Sequence, residues 1–185
     1  ILQIESEAIH LGQMINELLD LARIESGEGM SMNDTIDLDA VVRSSVDRLQ
    51  PFANQARVKI ASHSIGAVSL GREGNATRLA QAIVNLLHNA IKFSPKGAVV
   101  EVSVSQAAGS ALVRVRDHGI GIPPNSRDKV FGKFSQIDSA DDRNYEGSGL
   151  GLSIAEQIVS AHQGTIDYVS ELKKGTTFTV TVPLA

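Results

Sequence analysis

The chain has 185 residues, of which 42% are hydrophobic, 21% charged and 4% aromatic, with no Cys, no Trp and a formal net charge of −4. A chain of this order buries roughly 70% of the surface its unfolded form exposes, so it needs neither disulfides nor a structural metal, and the lack of Cys excludes thiolate catalysis and Cys-based metal sites. Mild acidity without a basic run, and few aromatics, leave neither a phosphate-tracking groove nor a base-stacking platform, so no nucleic-acid partner is expected.

Ile1, Ile4, Ala8, Leu11, Ile15, Leu18 and Ala22 recur at alternating spacings of three and four, the apolar seam of a helix that packs on other helices. Met14, Leu19 and Leu21 widen that stripe, which favours a helical hairpin or bundle over a two-stranded coil. The pattern is already running at Ile1, so the chain reads as an excerpt of a longer protein. No basic-apolar-small leader and no apolar run of about 18 residues is present.

Residues 27–36, with Gly27, Gly29 and small polar neighbours, read as a linker, and a globular unit is expected over 37–185. Asp37 should cap a helix carrying Val41, Val42, Val46 and Leu49, with a kink at Pro51. Short strands are predicted over 58–61 and 67–70, then a helix over 76–93 capped by Asn75 and stopped by Ser94-Pro95. An antiparallel hairpin is predicted from 99–105 and 111–117. Residues 118–149 are rich in Gly, Pro and Asp, with a helical piece near 126–134; a connection this long is usually functional. A helix from Leu150 to His162 and strands over 165–169 and 176–182 complete an α+β sandwich, a mixed sheet with helices on one face.

Three groups of residues carry chemistry. Gln81, Asn85, Asn89 and Lys92 form one stripe on the 76–93 helix, either a solvated polar face or a set of amides and an ammonium that hold a hydrated divalent cation and the oxygens it bridges. Asp117 falls on the same face as Val113 and Val115, where a carboxylate needs a donor. It either caps its own turn or accepts the amino group of a planar ligand admitted by Gly119 and Gly121. Gly147, Gly149 and Gly151 free backbone N–H groups at a helix N-terminus, which suits phosphate. That run is neither a dinucleotide fingerprint nor a Walker loop. His10, His63, His88, His118 and His162 show no metal spacing, and surface or boundary positions are expected for them.

In order, Asn85-Leu-Leu-His-Asn89-Ala-Ile-Lys92-Phe93, Asp117-His-Gly119-Ile-Gly121-Ile122, Phe131-Gly-Lys133-Phe134 and Gly147-Ser148-Gly149-Leu150-Gly151-Leu152 resemble the N, G1, F and G2 boxes of sensor histidine kinases. The resemblance covers the chain from Asp37 onward. It implies the Bergerat-type sandwich shared with gyrase, MutL and heat-shock chaperone ATPases, with ATP and Mg2+ as ligands and an ATP lid over about 122–147. On that resemblance Asp117 accepts the adenine amino group, with Gly119, Gly121 and Ile122 beside it. Asn89 is the magnesium ligand, with Asn85 next to it. Lys92 faces phosphate and Phe93 packs near adenine. The Gly147 to Gly151 backbone holds phosphates once the lid closes, Phe134, Ser148, Leu150 and Leu152 count among the nucleotide-binding residues, and Lys133 or Arg143 reaches the γ-phosphate.

Hydrolysing relatives carry a Glu at the place of Asn85 as general base, and an amide cannot take that proton. The phosphoacceptor His is expected outside this chain, because none of the five His opens an H-E-x-R-T-P-like motif. Residues 1–26 resemble the second helix of the dimerisation hairpin. A homodimer through that hairpin, a response regulator as partner and a cytoplasmic site of action follow from the resemblance. A hydrolytic ATPase, a serine-directed kinase of the same superfamily and an interaction module without nucleotide are the competing readings.

Overall fold

The computed structural model describes residues 2–28, 30–64, 66, 68–135 and 147–185; side chains of residues 2–10, 13, 64 and 72 lie outside that description. Helix α1 spans Leu2–Glu25 and precedes strand β1, Asp34–Asp37. Next come α2 (Leu38–Ala56), β2 (Lys59–Ser64), β3 (Ser69–Gly74) and α3 (Ala76–Phe93). Strands β4 (Val99–Ala107) and β5 (Ser110–Arg116) are followed by α4 (Arg127–Val130), α5 (Gly151–Ala161), β6 (Thr165–Glu171) and β7 (Gly175–Pro183).

The larger sheet has the order β2-β4-β5-β7-β6, with β2 parallel to β4 and the other neighbours antiparallel. Its alternation is one-sided. Val100, Val102 and Val104 of β4, Val113 and Val115 of β5, and Phe178, Val180 and Val182 of β7 are buried, and Arg114 and Arg116 face solvent. Helices α2, α3 and α5 cover the buried face. Leu79, Ile83, Leu86, Leu87 and Ala90 place the apolar side of α3 in that core, each large side chain contributing about 1.5–3 kcal/mol. This is the α+β sandwich the sequence predicts.

Asp37 caps α2 as expected, its Oδ1 accepting from the Asp39 and Ala40 N–H groups at 3.1 and 3.2 Å. Helix α2 continues through Pro51. The predicted helix near 126–134 reduces to the single turn of α4. The end of the expected linker is structured: β1 pairs with β3, Ile36 is buried, and Asp34 Oδ2 accepts the Ala76 N–H at 2.9 Å. A four-residue strand with one apolar side chain is too short to show its period.

His162 departs from its expected surface position, being 1% exposed. Its Nδ1 lies 2.8 Å from the Ile158 carbonyl, and its Nε2 accepts the Asn75 N–H at 2.9 Å. That pair of contacts requires the Nδ1–H tautomer and ties the end of α5 to the start of α3. His162→Ala deprives the Asn75 N–H of this acceptor and opens a cavity, so urea unfolding should report a loss of about 3 kcal/mol.

Candidate functional site

Asp117 follows β5 directly and is 6% exposed. Its Oδ1 accepts the Gly119 N–H at 2.8 Å and the Thr176 N–H at 3.2 Å. Its Oδ2 makes no hydrogen bond among the described residues, and no fully buried side-chain oxygen or nitrogen there lacks a partner, so Oδ2 opens on accessible space. The turn-capping reading of this carboxylate is thus seen at Oδ1, and Oδ2 is left without a protein donor among the described residues. Burial pushes the carboxyl above its ordinary value, against the lowering effect of the Gly119 and Thr176 N–H groups and of His118.

Gly119 passes under the end of α3 so closely that a Cβ would stand 2.3 Å from the Phe93 carbonyl oxygen. Only glycine permits that approach, and it sets Phe93 beside Asp117. Gly121 lies equally close to Glu171, and the Ile122 N–H donates to Ser170 Oγ at 2.7 Å.

On α3, Asn85 donates from Nδ2 to the Gly151 carbonyl at 2.8 Å, joining α3 to the start of α5. Asn89 follows one turn later, half-buried, and its side chain makes no hydrogen bond among the described residues. The Lys92 ammonium sits 5.0 Å from the Phe93 ring centroid and would be 2.9 Å from a Cβ on Gly147. A Cβ on Gly149 would stand 2.9 Å from the backbone of Phe134 and Ser135. The four motifs thus converge on one end of the sheet.

The two aromatic rings of the third motif divide their work. Phe131 packs edge-on against Phe178 at 6.5 Å, and Phe134 is 55% exposed. Ser148 Oγ accepts the Leu150 N–H at 3.1 Å, and Leu150 buries its side chain in the core. Leu152 is half-buried against that core. Helix α5 begins without a side-chain cap, leaving its first backbone donors to other partners. Gln81 keeps its place on the stripe and donates to Asp20 of α1. Lys133 is paired with Glu25 of α1. Arg143 and most of the predicted lid lie outside the described residues.

A family model for histidine kinase-, DNA gyrase B- and HSP90-like ATPases matches residues 74–185, more than half of the chain. The chain belongs to this family. Among its relatives, the sensor-like histidine kinase SenX3 of Mycolicibacterium smegmatis is 35% identical over 179 residues, covering 96% of this chain and 46% of that one. The circadian input-output histidine kinase CikA of Synechococcus elongatus is 34% identical over 176 residues, covering 94% and 23%. The chain thus spans less than half the length of these curated relatives. Full-length ShkA in complex with AMPPNP superposes with a TM-score of 0.78 at 26% identity, over 95% of this chain and 36% of that one. The mycobacterial sensor histidine kinase MprB superposes with a TM-score of 0.70 at 29% identity, over 82% and 97%. These matches make the chain a sensor histidine kinase catalytic domain of Bergerat type.

Two parts of this kinase domain escape the motif reading. Thr176 and Ser170 support Asp117 and Ile122, with Thr176 Oγ1 2.8 Å from Ser170 Oγ and the Asp117 N–H donating to the Thr176 carbonyl at 2.9 Å. The β5–β7 register, Arg116 opposite Thr177, and the β6–β7 register, Ser170 opposite Thr176, bring them there, and register is not written in any one strand alone. The other is α1, whose Leu21 and Ile24 are buried on the kinase domain, with Leu11, Ile15 and Leu18 of the predicted seam exposed. No helix among the described residues is long and apolar enough to cross a membrane.

Proposed function

We propose that the chain binds ATP with Mg2+ and presents the γ-phosphoryl group to a histidine on a dimerisation hairpin, for onward signalling to a response regulator. Residues 1–26 then form the second helix of that hairpin, 37–185 the ATP-binding unit, and the parent protein is a homodimer acting on the cytoplasmic side. Asp117 Oδ2 accepts the adenine amino group, and Gly119 and Phe93 leave the flat slot beside it. Lys92 and the backbone of 147–151 face the phosphates.

The donor set fits a magnesium ion at Asn89, whose amide oxygen is a hard ligand with no protein partner among the described residues. Such an ion would supply neutralisation of the charge on the phosphate oxygens, with Asn89 holding it.

Asn85 is the observation that carries the reading. Where a hydrolase needs a base, its amide has no affinity for a proton and is committed to the Gly151 carbonyl. The pocket therefore positions a phosphoryl group without activating water. Incubation with γ-labelled ATP should leave the chain unlabelled and should label an added hairpin bearing the family's histidine. Steady phosphate release independent of any partner would establish a hydrolase instead.

A further inference from the structure

Helix α1 reaches two of the four motifs, and the first turns of α3, through its acidic side chains. Glu17 accepts the hydroxyl of Ser148, between Gly147 and Gly149. Asp20 accepts from Gln81 and, at 2.6 Å, from Arg78, both on α3. Glu25 accepts from Lys133 and, at 3.0 Å, from Gln157 of α5. Leu21 and Ile24 are buried between these rungs. Burial raises the Asp20 carboxyl, but the Gln81 and Arg78 hydrogen bonds outweigh it and hold the group below its ordinary value. The Lys133 hydrogen bond, then that of Gln157, lowers Glu25. Both directions describe carboxylates that are ionised and engaged.

The Glu17 contact differs from the other two because of what it occupies. Ser148 Oγ already accepts the Leu150 N–H, so its hydroxyl proton is the donor this loop has left at that position, and a carboxylate holds it. A polyphosphate settling on the same loop must displace Glu17 or lie beside its charge. Like charges at such separations near a protein surface repel by an amount worth several-fold in affinity.

We infer that α1 is an autoinhibitory clamp, in which Glu17 on Ser148 opposes nucleotide phosphate at the 147–151 loop, so that nucleotide binding and α1 docking weaken each other. This rests on the nucleotide reading above. Linkage makes the coupling reciprocal: whatever factor Glu17 costs ATP affinity, ATP costs α1 docking. The coupling is electrostatic and therefore fades with salt.

Two measurements on the full chain test it. Calorimetric titration with Mg-ATP should give Glu17→Gln a three- to tenfold tighter affinity than the parent at low salt, narrowing at high salt, with Asp167→Asn unchanged as a distant carboxylate control. The chain has no Cys, so Leu21→Cys carries a single buried thiol whose labelling rate reports undocking of α1. Mg-ATP should raise that rate by the same factor, and Glu17→Gln should abolish the nucleotide dependence. Equal ATP affinities for parent and Glu17→Gln would overturn the clamp and leave the nucleotide reading standing. Failure of any variant to bind ATP would overturn both.

Discussion

Asp117→Asn should reduce ATP affinity by roughly 10- to 150-fold without lowering the stability of the domain, as read by calorimetric titration and thermal unfolding on the same samples. The affinity figure is the worth of a hydrogen bond to an ionised group, about 1.5–3 kcal/mol. The stability half follows from the geometry. An Asn can still give its carbonyl oxygen to the Gly119 and Thr176 N–H groups, which Asp117 Oδ1 holds at 2.8 and 3.2 Å. Its NH2 then points where Oδ2 points now, donor against the adenine amino donor of the proposed complex. The uncharged amide also sheds the desolvation that pushes the Asp117 carboxyl upward.

The same group sets a pH dependence whose two halves run in opposite directions. An acid whose folded value is raised is unfavourably ionised at neutral pH, and that cost is relieved as pH falls through the raised value. In the proposed complex, acceptance of the adenine amino group needs the carboxylate, so affinity should decline over the same descent. The decline begins above the ordinary carboxylate range of about 3.9. In Asp117→Asn this dependence should vanish.

What could be read from the sequence, and what could not, divides along a physical line. Helix α3 was legible to the residue because cap, apolar period and Ser94-Pro95 stop agree over five turns. Asp117 was legible because its strand alternates without fault and so fixes the side of the sheet it faces. Within the motifs, partners were not. Asn85 and Gln81 stand one turn apart on one polar stripe, yet Asn85 bonds to Gly151 and Gln81 to Asp20. A stripe gives direction and leaves the identity of what arrives there to tertiary packing. Thr176 was hidden for the same reason, since its contact with Asp117 belongs to a register between strands far apart in the chain. The acidic row of α1 was visible only as the polar side of an amphipathic helix. The burial of Leu21 and the exposure of Leu18 show which side faces the domain, and neighbouring apolar residues in one stripe do not distinguish those fates.

Gly175→Ala should be the most damaging single-methyl change in the domain, costing more than about 4 kcal/mol, where Gly97→Ala costs about 1–2. Both glycines have positive φ, +111° at Gly175 and +86° at Gly97. At Gly97 an added Cβ meets nothing within 4 Å, so backbone strain is the whole penalty. At Gly175 it would stand 2.0 Å from the Asp117 carbonyl oxygen. That oxygen has no room to retreat: the Asp117 N–H donates to the Thr176 carbonyl at 2.9 Å, and the Thr176 N–H returns to Asp117 Oδ1 at 3.2 Å. Relieving the clash therefore breaks the pair of bonds that aims the carboxylate. The loss should appear twice, as a lowered urea midpoint and, in whatever fraction stays folded, as lost ATP binding. A stability within about 1 kcal/mol of Gly97→Ala would show that the β7 turn does not press on Asp117 as described. Stability loss with ATP affinity intact would separate the turn from the site it is argued to hold.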